Sequence, residues 1–187
     1  MGLKQKTCKS CRQRFAPSRP MQTACSPACA IAIAERKREK QAQQMAAEKR
    51  RETRQQLESM KGIPELIWEA DKAFCAFVRA RDAGKPCICC GRSSSGWSRG
   101  GDWDAGHYRS RGAASHLRYH EDNCHSQLKQ CNRRAFDVAS YRANLIGRIG
   151  LARVETLEND NGTHKWTRDE LKAIKAEYIR KRKEIEA

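Results

Sequence analysis

The sequence predicts a mainly α-helical protein with a small ββα zinc finger at its core, preceded by a four-cysteine zinc module and a long basic helix. Three features predict this class: long runs rich in Ala, Glu, Gln, Lys and Arg, cysteine pairs at short spacings, and one block rich in Gly, His and Cys. Charged residues make up 32% of the 187 residues and aromatic residues only 6%. The apolar core is therefore small for the chain length, and we expect bound metal to stabilise it.

The net charge indicates a polyanionic partner. The chain has 38 Lys and Arg against 22 Asp and Glu, a balance of +16 at pH 7. Phosphates release counterions when they meet such a surface, so nucleic acid is the leading partner and its binding should depend on salt. A highly solvated surface and an anionic membrane are the alternatives.

The compartment is predicted from two absences in the sequence. No run of 18 apolar residues occurs, and the first residues, MGLKQKTCKSC, lack the apolar segment of a signal peptide. We expect a cytoplasmic protein that makes no membrane contact. The ten cysteines are then better explained as metal ligands than as disulfides, because the cytosol keeps thiols reduced.

The N-terminal cysteines have the spacing of a zinc site. A CxxC pair and a CxxxC pair are separated by thirteen residues. Four thiolates complete a tetrahedral site and leave no position open for chemistry, so this zinc is predicted to be structural. The four ligands are Cys8, Cys11, Cys25 and Cys29.

A long helix is predicted from Ala30 to Lys61, because the run contains no Pro or Gly. It has too few apolar residues for a continuous buried stripe, so it is either a solvated spacer or a surface laid against DNA. A second helix begins near Pro64 and has one apolar face. The signals divide the chain into four regions, at 1–30, 31–62, 63–135 and 136–187, the last being basic and helical.

The third region contains three motifs that outline a ββα finger. They are a CxxC pair at Cys87 and Cys90, the segment WDAGHYR around His107, and the segment EDNCHSQLKQCN. In this arrangement the first strand ends near His107, and the alternation of LRY at 117–119 predicts the second strand. A helix then supplies the last ligand, Cys131.

These residue types suit phosphodiester hydrolysis. His107 is the candidate general base, because imidazole titrates near neutral pH. Asp104 and Asn132 are the oxygen donors expected to hold magnesium or manganese, and the Asn123 amide is expected to fix the loop that orients His107. The alternative for Asp104 and Asn123 is an ordinary turn residue, and for Asn132 a helix cap.

Aromatic and basic residues surround this block. Trp97 and Trp103 are candidates for stacking on exposed bases, and core packing of Trp103 is an equal alternative. Three arginines that come after His107 in the sequence are candidates for phosphate contacts: Arg109, Arg111 and Arg118. The alternative is solvated surface charge.

The chain resembles the NinG family of lambdoid phages, also called Rap. The resemblance covers nearly the whole length, and the segments that carry it are PCICCG, WDAGHYR, LRYHEDN, LIGRIG, HKWT and ELKAIKAEY. It implies an HNH-like, metal-dependent endonuclease that cuts Holliday junctions or other branched recombination intermediates inside a bacterial host. Recombination proteins of the phage or host are then expected partners, and symmetric cleavage of a junction favours a homodimer.

The chain departs from the family pattern at Leu128, where the first cysteine of a second CxxC is expected. Cys124 is predicted to replace it, with Cys89 or His125 as substitutes. An incomplete site leaves open a degenerate, non-catalytic DNA-binding protein, and an RNA-binding zinc protein is a third hypothesis.

Overall fold

A computed structural model describes residues 3–93, 102–133 and 137–187. The chain divides into two compact units, Met1–Met60 and Lys61–Ala187. None of the described helices combines the length and the apolar character needed to cross a membrane.

The first unit contains a short hairpin and one long helix. Strands β1 (Lys6–Thr7) and β2 (Arg14–Phe15) pair antiparallel, and helix α1 spans Pro27–Met60. Helix α1 has no buried residue, as expected of a run without an apolar stripe. Its existence confirms the sequence prediction, although it begins three residues earlier, where the Ser26 hydroxyl accepts a hydrogen bond from the backbone N–H of Cys29 at 3.3 Å.

The second unit contains two strands and five helices within the described residues. After helix α2 (Ile63–Arg81) come strands β3 (Trp103–His107) and β4 (Cys124–Leu128), then the short helix α3 (Lys129–Arg133). Three further helices follow: α4 (Val138–Ile149), α5 (Leu151–Asn159) and α6 (Arg168–Glu186). Helix α3 follows β4 directly in the chain.

One core cluster forms where α2 packs against α6 and the hairpin. The apolar face of α2 that the sequence predicts is buried there, including Leu66, Ala70 and Phe74. Phe74 contacts Tyr178 of α6, with ring centroids 4.7 Å apart. Helix α6 begins with a capping box formed by Thr167 and Glu170.

A second core cluster forms where α4 and α5 cover the cysteine-rich segment. It buries Ile88, Tyr141, Leu145, Val154 and Leu157. Helix α4 begins at Asp137, whose carboxylate accepts from the backbone N–H of Ala139 and Ser140, and ends at Gly150 with φ 86°. These apolar contacts fix the position of the segment that carries Cys87 and Cys90.

The second strand lies elsewhere than predicted. Residues Ser115–Leu117 form a 3₁₀ turn, and β4 pairs with β3 from His107↔Cys124 to Trp103↔Leu128. A Cβ on Gly106 would lie 1.8 Å from Gln127 Oε1, so a larger residue at this position would force the buried Gln127 side chain to move.

Asp82, directly after α2, ties three elements together. Its fully buried carboxylate accepts from Arg81 Nη2 at 2.9 Å and from the Ser126 backbone N–H at 3.0 Å. Lys85 Nζ lies 3.0 Å away, and Arg148 of α4 lies 3.7 Å away. Burial raises the pKa of Asp82, but hydrogen bonds from His125 and Arg81 outweigh it and hold the pKa well below its ordinary value.

Candidate metal centres and active site

The four N-terminal cysteines converge on one point. The sulfur atoms of Cys8, Cys11, Cys25 and Cys29 all lie within 4.8 Å of one another. Cys11 Sγ is 3.5 Å from Cys25 Sγ, which is 3.6 Å from Cys29 Sγ. A backbone hydrogen bond from Cys11 lowers the pKa of Cys8 to about 6, so one thiolate forms readily. The cluster could hold a tetrahedral zinc ion, as the spacing predicts.

A second cluster contains three of the four predicted cysteines. Cys87, Cys90 and Cys131 place their sulfur atoms within 4.8 Å of one another. The Leu128 backbone N–H donates to Cys87 Sγ at 3.3 Å. Burial raises the pKa of Cys90, but hydrogen bonds from Arg92 outweigh it and lower the pKa to about 7. This thiolate set could also hold zinc.

Cys124 does not belong to the second cluster, and its predicted role as fourth ligand is corrected. It stands at the far end of β4 from Leu128, four residues and therefore about 13 Å along the strand. Its fully buried sulfur lies 3.8 Å from His107 Nδ1, and burial raises its pKa well above the ordinary value. Among the described residues, neither of the two cysteine groups that could hold a metal includes the proposed substitutes, Cys89 and His125.

Asp104 and Asn132 lie in hydrogen-bond contact, and their predicted role as metal ligands stays a prediction. Asn132 Nδ2 of α3 donates to Asp104 Oδ2 of β3 at 3.1 Å. Arg133 Nε donates to the same oxygen at 3.1 Å, and its side chain is 65% exposed. A carboxylate and an amide therefore meet at the surface where the hairpin joins α3, one residue from the ligand Cys131. Arg133 was not predicted, because nothing in its local sequence distinguishes it from other basic residues.

Asn123 fixes the loop after β3. Its Oδ1 accepts from the backbone N–H of Arg109 at 2.8 Å, and its Nδ2 donates to the carbonyls of Arg109 and Leu117 at 3.0 and 3.1 Å. The side chain is fully buried. Three of the four hydrogen-bonding positions of the amide are used. The side chain thus joins the end of the loop between the strands, where Asn123 stands, to Arg109 near its start.

His107 ends β3, half-buried against α2. Its Nε2 lies 2.9 Å from the carbonyl oxygen of Arg118, and the Phe74 ring lies 6.2 Å from its ring. Burial lowers the pKa of His107 below 6.5, so the imidazole is neutral at pH 7. Since Nε2 donates to a carbonyl, Nδ1 is the unprotonated nitrogen. A strand rises about 3.3 Å per residue, which separates the backbone positions of His107 and Asp104 by about 10 Å.

The predicted DNA-contacting arginines have partners inside the protein. Arg111 Nη1 lies 2.8 Å from Asp71 Oδ2, and Arg118 Nε lies 2.7 Å from Asp71 Oδ1. Arg109 donates to carbonyls at the end of α5, including that of Leu157 at 2.8 Å. Their contact with DNA stays a prediction.

The two candidate tryptophans differ. Trp103 is half-buried and packs against the second core cluster, which is the packing role allowed for it. Trp97 lies outside the described residues.

The family profile described as "Bacteriophage Lambda NinG protein" matches residues 1–187. The chain belongs to the NinG family. Protein ninG of Salmonella phage P22 is 41% identical to it, over 97% of this chain and 94% of the relative. Protein ninG of Escherichia phage lambda is 40% identical, over 97% and 93%, and that of Escherichia phage 933W is 37% identical, over 97% and 94%. No solved structure matches.

This NinG-family chain has a leucine beside its second thiolate cluster. Leu128 lies next to Cys87, at the end of β4 where the hairpin meets α3. The backbone thus places position 128 within reach of the cluster.

Proposed function

We propose that this NinG-family protein is an HNH-like, divalent-metal-dependent DNA endonuclease that acts on branched recombination intermediates such as Holliday junctions. One observation carries the proposal: Asp104 of β3 and Asn132 of α3, which both have an oxygen that could bind a metal, lie in contact, and Asn123 fixes the loop between β3 and β4. His107 stands at the end of the same hairpin. The net charge of +16 supports a nucleic-acid substrate.

Asp104 and Asn132 would hold the divalent cation in this mechanism. A carboxylate and an amide oxygen are hard ligands that suit magnesium or manganese. When bound, such an ion would stabilise negative charge on the phosphate and the leaving 3′ oxygen. The Asn132 amide presents its nitrogen to Asp104 in this structure, so it must turn over for its oxygen to join the ligand set. Arg133 is then free to contact a neighbouring phosphate.

His107 is the proposed general base. Its lowered pKa keeps the imidazole unprotonated at neutral pH, which a base requires. Its Nδ1 faces Cys124 and its Nε2 faces the Arg118 carbonyl. Proton abstraction from water beside the scissile phosphate therefore requires the ring to leave these contacts when DNA binds.

A cleavage assay on matched DNA tests the proposal. Linear, Y-shaped and four-way substrates of equal arm sequence are incubated with magnesium, manganese or chelator at fixed ionic strength. We expect cleavage of branched DNA with either metal and none with chelator. Asp104→Ala should lose cleavage while keeping binding in chelator, and Asp102→Ala, an exposed carboxylate two residues away, should cleave as the parent does.

The His107→Ala variant tests the base separately. Loss of a general base lowers the rate by roughly 10²-fold to 10⁴-fold, with nearly unchanged binding in a chelator-containing gel shift. His120→Ala, an exposed histidine in the same connection, is the control. Parental cleavage by His107→Ala in magnesium would contradict the assigned base, and parental cleavage by Asp104→Ala would contradict the assigned metal site.

A non-catalytic DNA-binding accessory protein is the second candidate. The observation that favours it is the inward-facing His107, with both ring nitrogens next to protein atoms. On this hypothesis the parent protein binds four-way junctions in chelator and cuts none of the substrates with either metal.

A further inference from the structure

A groove of about 550 Å³ runs between α2 and α6 on the side away from the hairpin core. Its walls include two exposed apolar side chains, Trp68 of α2 and Ile179 of α6, which are 61% and 42% exposed. Trp68 lies on the opposite face of α2 from the buried residues Leu66, Ala70 and Phe74. A tryptophan this exposed on a helix with a well-buried opposite face is not part of the core.

The groove is strongly basic. Five cations line it against a single carboxylate, Glu69; the cations are Lys72, Arg79, Lys175, Arg182 and Lys183. Glu69 is already neutralised, because Lys61 and Lys175 bind its two oxygens at 2.5 and 2.8 Å and lower its pKa. Anions entering the groove therefore meet an uncompensated positive field.

Three of these cations are available to a ligand. Within the described part of the chain, Lys72, Arg79 and Lys183 form no ion pair with a carboxylate. Lys72 Nζ instead lies over the Trp68 ring, 5.2 Å from its centroid. The ammonium group thus covers one face of the indole ring, so a base stacks on the opposite face or displaces Lys72, and in both cases the phosphate of the same nucleotide lies close to a cation.

We infer that this groove binds an unpaired DNA strand, with a base stacked on Trp68 and the phosphates along the cations. The inference rests on the proposed function in one respect, the choice of DNA as the partner. Duplex DNA offers phosphates but no free base face, whereas a single strand uses both the aromatic ring and the charges. Branched recombination intermediates supply such strands where arms separate. The groove would then hold an unpaired strand beyond the site that contains Asp104.

Binding of labelled oligo-dT and of a duplex of equal length, measured in chelator by fluorescence anisotropy, tests the inference. Trp68→Ala should weaken oligo-dT binding by about 5-fold to 100-fold, the loss expected for one stacked base, and leave duplex binding nearly unchanged. Trp68→Phe should restore most of the affinity. Because Trp68 is exposed, both variants should melt close to the parent.

A charge variant provides the second arm. Replacing Lys72, Arg79 and Lys183 with Gln should weaken oligo-dT binding and reduce its salt dependence by about 0.7 per lost phosphate contact. The matched control replaces three exposed cations outside the groove, Lys165, Lys172 and Arg180, and should change oligo-dT binding much less.

Three results would overturn the inference. If Trp68→Ala binds oligo-dT as tightly as the parent does, no base stacks on Trp68. Equal loss of duplex and oligo-dT binding makes the groove a duplex surface. Polyglutamate binding that depends on Trp68, without any effect on oligo-dT, assigns the groove to an acidic protein. None of these depends on cleavage, so a protein that cuts no DNA could still bind a strand here, and an active nuclease could lack this site.

Discussion

The two cysteine clusters begin with the same turn and end differently. In each, the first cysteine donates its backbone N–H to the carbonyl five residues later, Cys8 to Gln13 at 2.8 Å and Cys87 to Arg92 at 2.9 Å. In each, the residue four positions after that cysteine has positive φ, 63° at Arg12 and 69° at Gly91. The first cluster then receives two more thiolates from its own unit, and the second receives Cys131 alone.

The surroundings differ even more than the ligands do. Among residues 3–60, only Cys8, Pro17 and Ala24 are buried, so little apolar area stabilises the first cluster. The second is set among the buried Ile88, Leu145 and Leu157 and their neighbours. The comparison shows one turn used in two ways. A zinc ion at the first cluster would therefore contribute a larger share of the stability of its unit than one at the second, where an apolar core also contributes.

Removing a ligand from the first cluster should have the largest effect. Cys8→Ser should lose about one zinc per chain, and residues before α1 should lose their fold, as small zinc modules do without metal. Metal analysis and limited proteolysis with mass spectrometry would report both. Cys75→Ser, outside either cluster, is the control. Equal zinc content in Cys8→Ser and the parent would contradict the assignment.

The core of the second unit should depend more on Asp82 than on zinc. Asp82→Ala leaves several buried cationic groups without their carboxylate, and we expect a loss of about 3–5 kcal/mol in the free energy of unfolding. Lys85→Ala removes only the exposed member of the network and should cost at most about 1 kcal/mol. Thermal and denaturant unfolding of both variants measures the difference. Similar losses in the two would contradict a buried network centred on Asp82.

The same network predicts how the second unit responds to acid. Burial lowers the pKa of His125, so the unfolded chain takes up its proton first as pH falls through 6.5, and stability declines. The depressed pKa of Asp82 adds stability that is complete above its ordinary value of 3.8 and is lost as pH falls below it. Unfolding curves of the parent and Asp82→Ala should therefore converge below about pH 3.8 and remain apart at pH 7.

A fourth thiolate in the second cluster should make its zinc retention more like that of the first cluster. Leu128→Cys places a fourth sulfur beside Cys87, and we expect zinc retention against a chelator to rise at least about tenfold, since even outer partners of metal ligands change affinity by this amount. Cys124→Ser should leave zinc content unchanged. A drop in zinc content in Cys124→Ser would return that cysteine to the ligand set.

The smallest expected effect lies in the shared turn. Arg12 holds a left-handed conformation that Gly91 adopts without strain. Arg12→Gly should make the first cluster more resistant to chelator by about 0.5–1 kcal/mol, and Gly91→Arg should weaken the second by a similar amount. A loss of chelator resistance in Arg12→Gly, or a gain in Gly91→Arg, would show that the two turns are not equivalent.

Local patterns made much of this molecule predictable. Cysteine spacing identified the first cluster, because all its ligands come from one short segment. The apolar face predicted for the second helix is the buried face of α2, and the last region is helical as predicted. The Asn123 amide does bond to the backbone of the loop, and its predicted effect on the orientation of His107 stays a prediction.

Longer-range features were missed for physical reasons. The alternation in the LRY segment is typical of a strand. In the structure the segment is a turn, and it buries Leu117 in one core cluster and Tyr119 in the other. The true strand, CHSQL, contains mostly polar residues, and its burial depends on partners such as Asp82 that are distant in sequence. Cys124 was chosen as a ligand for its proximity along the chain, yet a strand carries it away from Cys131. The groove at Trp68 appears only when α6 packs beside α2.

The buried amide of Asn123 has a consequence for how the hairpin folds. Its three side-chain bonds reach Arg109 and Leu117 in the connection between the strands, in the register that pairs His107 with Cys124. Slipping β4 by one residue would point every one of its side chains to the wrong face and strand this amide without partners. Each buried polar group left unsatisfied costs about 1–3 kcal/mol. The bonds of Asn123 thus favour the native register of the hairpin over a slipped one.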